Sequence, residues 1–276
     1  MAGRETADIV FCMDASGSME HAFSGVRNNV EKLVKTLNST GLQSKWDVRF
    51  DFLAYSTASS GSSMRLITTN EKSVGVIDAL YNNRESQNLQ SSKNSDTFFT
   101  RDLKKFCDGL DKVNCEADES TLLALDIAAD FPFRDAATCH RVVVLLTDEA
   151  VADGPLADET TKKLMNLAMK YQDKKIMLFM VTPDCPSFDQ LSQIDRCEWI
   201  VDETGGLHGV NFSKLMESIG KSVSISQTMG SGRDTPNPLF CENKWNKKVE
   251  CDLDRPGYVV ITGVKSLKSK MQNAFD

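Results

Sequence analysis

The strongest constraint in this sequence is a pair of apolar runs, "RVVVLLT" at residues 141–147 and "IMLFMVT" at 176–182. Neither run alternates polar with apolar residues, so each reads as a strand covered on both faces. Four more candidate strands accompany them: Asp8–Met13, Val48–Tyr55, Met64–Thr68 and Glu198–Val201. Between strands the apolar residues change to steps of three and four. Phe23, Val26, Val30, Leu33 and Leu37 make one helical face. Leu103, Phe106, Leu110 and Val113 make another, as do Leu164, Leu167 and Tyr171, and then Phe212, Leu215, Ile219 and Val223. Strands alternating with amphipathic helices predict an α/β fold, a doubly wound, mostly parallel sheet with helices on both faces. In such sheets functional residues gather beyond the carboxyl ends of the strands, at a switch in strand order.

The chain of 276 residues, 41% of them hydrophobic, suffices for one large core with an appendage. Its formal charge of −7 argues against a nucleic-acid binder, which needs a basic stripe. No apolar run is long enough to span a bilayer. The opening "MAGRETADIV" shows no basic segment followed by a long apolar stretch, so no secretory signal is expected. Eight scattered cysteines include no CxxC pair, and Cys12 falls inside a strand; they read as reduced thiols of a cytoplasmic protein. Residues 84–97 are polar and aperiodic, a surface loop. The expected organisation is a domain over 6–225, a Gly- and Pro-containing linker over 226–238, and a tail over 239–276. That tail is too short for a core of its own. It carries one β-prone run, "GYVVITGV", and is expected to dock on the domain.

The first strand ends in "ADIVFCMDASGSMEHAF", with Asp14 at its tip and Ser16 and Ser18 at alternate positions beyond. Turns between strands and helices use such residues anyway. In an extended turn, however, both hydroxyls can also face a cation held by Asp14. The run "VVLLTDEAVADG" sets Asp148 at the end of another buried strand, on the same rim if the strands are parallel. A third loop, "NCEADESTLLALDIAAD", offers Glu119, Ser120 and Thr121 ahead of another helix. Carboxylates and hydroxyls converge without His or Cys, a donor set for magnesium, manganese or calcium and not for zinc. His21, His140 and His208 lack metal spacing, and Glu149 and Asp153 read as exposed loop charge.

These three loops resemble those of a von Willebrand factor A domain with a metal-ion-dependent adhesion site, over about residues 6–225. The resemblance implies a Rossmann-like fold and puts the family's DxSxS motif on Asp14, Ser16 and Ser18, with its distal aspartate on Asp148. The family usually supplies a middle-loop threonine five residues before a small-apolar helical pair. Counting back from Ala124-Leu125 gives Glu119, as in integrin β-type and several microbial members, with Thr121 as the alternative. The choice has an electrostatic consequence. Asp14, Asp148 and a divalent cation sum to zero, which leaves the ion able to attract a partner's acidic side chain; a coordinating Glu119 makes the assembly net negative and weakens that attraction.

The resemblance implies a non-enzymatic, cation-dependent protein-binding or scaffold module. Intracellular relatives resembling TerY proteins accompany kinases and phosphatases, and others accompany MoxR-type ATPases, in stress response or defence. Two alternatives come from other classes. A metal-dependent phosphoester hydrolase would use Asp14, Asp148 and Glu119 around magnesium, although the sequence offers no nucleophile–base pair or phosphate-cradling glycine loop. An extracellular adhesion domain would use the cysteines as disulfides.

Overall fold

The computed structural model describes residues 5–40, 46–57, 64–82, 97–115, 121–151, 158–226 and 259–262. The six expected strands are present as β1 (Thr6–Asp14), β2 (Asp47–Thr57), β3 (Met64–Thr68), β4 (His140–Leu146), β5 (Ile176–Thr182) and β6 (Cys197–Val201). Strands β2-β1-β4-β5-β6 run parallel, and β3 closes one edge antiparallel to β2. A short strand from the tail, β7 (Val259–Thr262), pairs antiparallel with β6, Val259 opposite Val201. The stretches expected as the 84–97 loop and the linker lie almost wholly outside the described residues, as does the rest of the tail.

Helices α1 (Glu20–Thr40), α3 (Leu103–Leu110), α5 (Asp158–Asp173) and α7 (Phe212–Ile225) follow the four periodic segments. Helix α3 is shorter than its spacing predicts. It ends at Leu110, and Val113 packs on the core from the turn beyond. Helices α2 (Glu71–Asn82) and α6 (Pro186–Leu191) were not legible as periodic faces. The first carries Gly75 in its middle and the second is six residues long, so neither builds a stripe. Helix α4 (Thr121–Ala129) begins where the middle loop ends.

Strand β1 shows why the sheet has two cores. Ile9, Phe11 and Met13 point to the face covered by α1, α3 and α7, while Val10 and Cys12 point to the face covered by α4, α5 and α6. The period of two in side-chain direction makes a fully apolar run necessary once both faces are covered. Helices α1 and α7 touch where a methyl group on Gly25 would run into the Phe212 ring.

At the amino ends of the strands Asp8 is fully buried between two arginines. Arg49 donates from Nε at 2.8 Å and Nη2 at 2.6 Å, and Arg134 donates through its backbone N–H at 2.7 Å and its Nε at 2.9 Å. Burial alone would raise the Asp8 carboxyl, but the guanidinium bonds hold it below the ordinary value. Asp51 on β2 is different. Its Oδ1 accepts the N–H groups of Phe52 at 2.9 Å and Thr69 at 3.1 Å, yet burial pushes its pKa up from 3.8 to about 6.

A carboxyl raised in the folded state binds protons that the unfolded chain has released. Its stabilisation is therefore full below the unfolded pKa and is lost as pH rises through about 6. Asp51→Asn keeps the acceptor oxygen without the titration. The variant is expected to exceed wild type by about 1–3 kcal/mol at pH 7.5, with the gap closing towards pH 4, as urea unfolding across that range would read.

Candidate metal centre

Strand order reverses at β1, because β2 lies on one side and β4 on the other. Asp14 is the last residue of β1 and is fully buried. Its Oδ1 accepts the Ser16 N–H at 2.6 Å, which forms the local turn, and its Oδ2 accepts the Thr147 hydroxyl at 2.9 Å, which ties the tips of β1 and β4 together. The Ala15 N–H donates to the Tyr55 carbonyl at 2.9 Å, so the turn is also pinned to β2. Ser16 stands at the start of a 3-10 turn (Gly17–Met19), where a serine hydroxyl ordinarily caps the free N–H groups. It makes no such bond. Its Oγ instead lies 3.0 Å from the Ser18 Oγ. Adjacent oxygens around an octahedral magnesium at about 2.1 Å are about 3 Å apart, so the two hydroxyls already have the spacing of neighbouring ligands.

Asp148 follows Thr147 at the end of β4. Its Oδ2 accepts the Gly206 N–H at 2.5 Å, while its Oδ1 is buried with no hydrogen-bond partner. Gly206 belongs to a 3-10 turn (Gly205–Leu207) after β6 and has φ +67°. A methyl group there would drive into the Ser18 carbonyl oxygen. Only glycine takes this backbone and this contact without strain, and the residue thus presses the loop after β6 onto the serine turn. That loop is braced by Asp202, whose Oδ1 accepts from the Thr204 N–H at 3.0 Å and hydroxyl at 2.7 Å.

Thr121 opens α4, is buried, and accepts the Tyr55 hydroxyl at 3.1 Å on its Oγ1. Tyr55 is the β2 residue paired with Asp14. Glu119 and Ser120 lie outside the described residues, as does Asp153. Burial, then the Asp14 and Glu20 carboxylates, push the Cys115 thiol up to about 11. Glu149 is exposed. His21 stacks on His208 with ring centroids 4.5 Å apart. His140 lies at the opposite end of β4, with burial lowering its pKa to about 4.

The structure therefore brings together Asp14, Ser16, Ser18 and Asp148, and Thr121 is hydrogen-bonded to Tyr55, the strand partner of Asp14. Among the described residues no three His, Cys, Asp or Glu side chains form a metal-binding group, so a cation here would depend on hydroxyl oxygens as well as the two aspartates. The buried, unpartnered Asp148 Oδ1 and the paired serine hydroxyls fit such a hard ion. Sequence reasoning missed Thr147, Tyr55 and Gly206. A signal for the last exists in "DETGGLHG", two adjacent glycines just past a strand, which mark close backbone approach.

This arrangement defines an α/β module with an oxygen-lined rim at its topological switch point. The von Willebrand factor type A domain family matches residues 8–214, and the chain belongs to that family. Among solved structures it is similar to a von Willebrand factor type A protein from Catenulispora acidiphila, at 11% identity and TM-score 0.48 over 81% of this chain and 44% of that one. It is also similar to proximal thread matrix protein 1 from the mussel byssus, at 12% identity and TM-score 0.47 over 80% of this chain and 48% of that one. The chain thus spans less than half the length of either. No curated protein sequence matches it.

Gly206 and its neighbour make a controlled pair of substitutions. Gly206→Ala combines a positive φ with a collision against backbone, whereas a methyl on Gly205 meets only the Asp148 Oδ2 at 3.8 Å. Gly206→Ala is expected to lower stability by about 1–3 kcal/mol and Gly205→Ala by less than about 1 kcal/mol, read from denaturant midpoints at constant m.

Proposed function

We propose that this rim holds a divalent cation, Mg2+ or else Mn2+ or Ca2+, between Asp14, Ser16, Ser18 and Asp148, with Glu119 or Thr121 as the middle-loop donor. A partner protein docks there by presenting an acidic side chain to the ion. The module binds and does not catalyse, and it works in the cytoplasm as a scaffold within a multiprotein system of the stress-response or defence kind, beside kinase, phosphatase or ATPase components. Membership of the von Willebrand factor type A family supports an interaction or adhesion role. Among the described residues no helix is long and apolar enough to cross a membrane. Cys12, Cys139, Cys185 and Cys197 are buried as free thiols and pack as small hydrophobes, which favours a reducing compartment.

The observation that carries the cation reading is Asp148. One carboxylate oxygen is held by the Gly206 N–H and the other is buried without a partner. A buried acceptor left unsatisfied is costly, and a cation would satisfy it while balancing the charges of Asp14 and Asp148.

A ligand that binds only the folded state raises stability by mass action, by about 2.7 kcal/mol at a hundredfold excess over Kd. Magnesium, manganese or calcium is expected to raise the melting temperature of wild type and to leave the Asp14→Ala, Asp148→Ala double variant unmoved. No shift of wild type with any of the three ions would overturn the proposal.

The middle loop calls for manganese affinity as the readout and not stability. Thr121→Val leaves the Tyr55 hydroxyl without this acceptor and so costs about 1 kcal/mol whatever the metal does. Glu119→Gln is expected to weaken manganese and to strengthen acidic ligands at the ion, because it removes a negative charge. If Thr121→Val abolishes manganese binding while Glu119→Gln is silent, the threonine is the ligand.

A further inference from the structure

Two of the chain's histidines meet at the seam between the serine turn and the loop after β6. His21 lies in the first turn of α1, and His208 directly follows the Gly205–Leu207 turn. Their ring centroids are 4.5 Å apart with the planes 30° apart, and both residues are exposed. Phe212 packs edge-on against His21 at 5.8 Å, which steadies the α1 side of the pair against α7. No ring nitrogen of His21 or His208 is hydrogen-bonded to another described residue. His140 differs, being buried with its Nδ1 bonded to the Ser226 hydroxyl. The His208 edge that carries Nε2 lies over Gly206, where a methyl group would stand 3.2 Å from that nitrogen. The glycine thus leaves open a space beside Nε2 that a side chain would fill.

Two imidazoles that are close, exposed and free of hydrogen bonds can share one ion. Nitrogen donors suit zinc, nickel and copper, whereas the carboxylates and hydroxyls of the rim suit magnesium or calcium. With metal–nitrogen bonds of about 2.1 Å and ring centroids about 1.1 Å behind the nitrogens, two imidazoles at right angles on one ion have centroids about 4.5 Å apart. A tetrahedral angle opens this only to about 5.2 Å. The observed 4.5 Å falls at the first value. Histidine χ2 is broadly tolerant, so exposed rings turn their nitrogens toward a shared ion without backbone movement. We infer that His21 and His208 form a nitrogen-donor metal site, separate from the oxygen-lined rim, for Zn2+, Ni2+ or Cu2+ with water in the remaining positions. Among the described residues no third His, Cys, Asp or Glu joins them. The site is therefore open, unlike a structural zinc site with four protein ligands. Its ion clamps the start of α1 to the loop after β6, across the seam where Gly206 meets the Ser18 carbonyl and holds Asp148. The inference does not depend on a cation at the rim.

The test is titration of the full chain with Zn2+ in excess magnesium, followed by NMR of isotope-labelled histidine ring nitrogens. The chain has 3 histidines, so the spectrum is simple and His140 serves as an internal control. One nitrogen on His21 and one on His208 are expected to shift together along a single binding curve, while His140 stays put. His21→Ala is expected to weaken zinc at His208 about a hundredfold, because the second ligand acts at high effective concentration. His208→Ala should do the same to zinc at His21. The Asp14→Ala, Asp148→Ala double variant should bind zinc as wild type does. Shifts on neither ring, or on one ring alone, would overturn the inference. So would zinc affinity at His208 that survives His21→Ala, or zinc shifts that disappear in the double aspartate variant.

Discussion

The molecule depends on β1 running parallel between β2 and β4 while buried on both faces. A parallel neighbour on each side requires a crossover to each side, and the two crossovers leave the sheet over opposite faces. Helix α1 covers one face and α4 the other. The loops at the tip of β1 must therefore diverge, and the crevice they leave is where Asp14 and Asp148 come to lie. The bond from Thr147 to Asp14 ties the tips of β1 and β4 together at that crevice. Nothing about the aspartates themselves creates this arrangement. Apolar side chains on β1 do, and the polar tips follow.

The two ends of β1 show how differently one strand can bury a carboxylate. Asp8 is met by two guanidinium groups and stays ionised in spite of its burial. The bonds Asp14 makes to Ser16 and Thr147 come from neutral donors. Arginines lock the lower end into a structural network, where removal of one partner would leave a buried charge uncompensated.

Much of the frame was legible because its signals are local. Fully apolar runs announced β4 and β5, and steps of three and four announced α1, α3, α5 and α7. DxSxS after a strand announced the turn at Asp14. Helix α2 escaped because Gly75 interrupts it and α6 because six residues cannot show a stripe. The greater loss was at the site, in contacts between loops distant in sequence. Gly206 touches Asp148 and Ser18 from a loop that periodicity treats as punctuation. Thr147 read as the end of a strand, yet its hydroxyl joins two of them. Tyr55 read as the end of another strand, yet its hydroxyl reaches Thr121. In each case the residue type suited an ordinary role, and only the fold assigned the other.

Local rules are broken where the site is built. A glycine is held at positive φ against a carbonyl, a serine at a helix start does not cap it, and a buried aspartate oxygen has no partner. These three features share one rim, although buried oxygens without a partner also occur at Asp51, Thr69, Ser187 and Asp202. The rim also divides into two kinds of donor. Asp14, Ser16 and Asp148 are fixed by backbone bonds to the sheet and the loop after β6, so their positions follow from the fold. The middle loop meets that frame where Thr121 accepts the Tyr55 hydroxyl. If the rim holds a divalent ion as proposed, a carboxylate such as Glu119 bound to it would strengthen the hold on the ion and weaken the ion's pull on an acidic partner, so one loop residue would set the balance between the two.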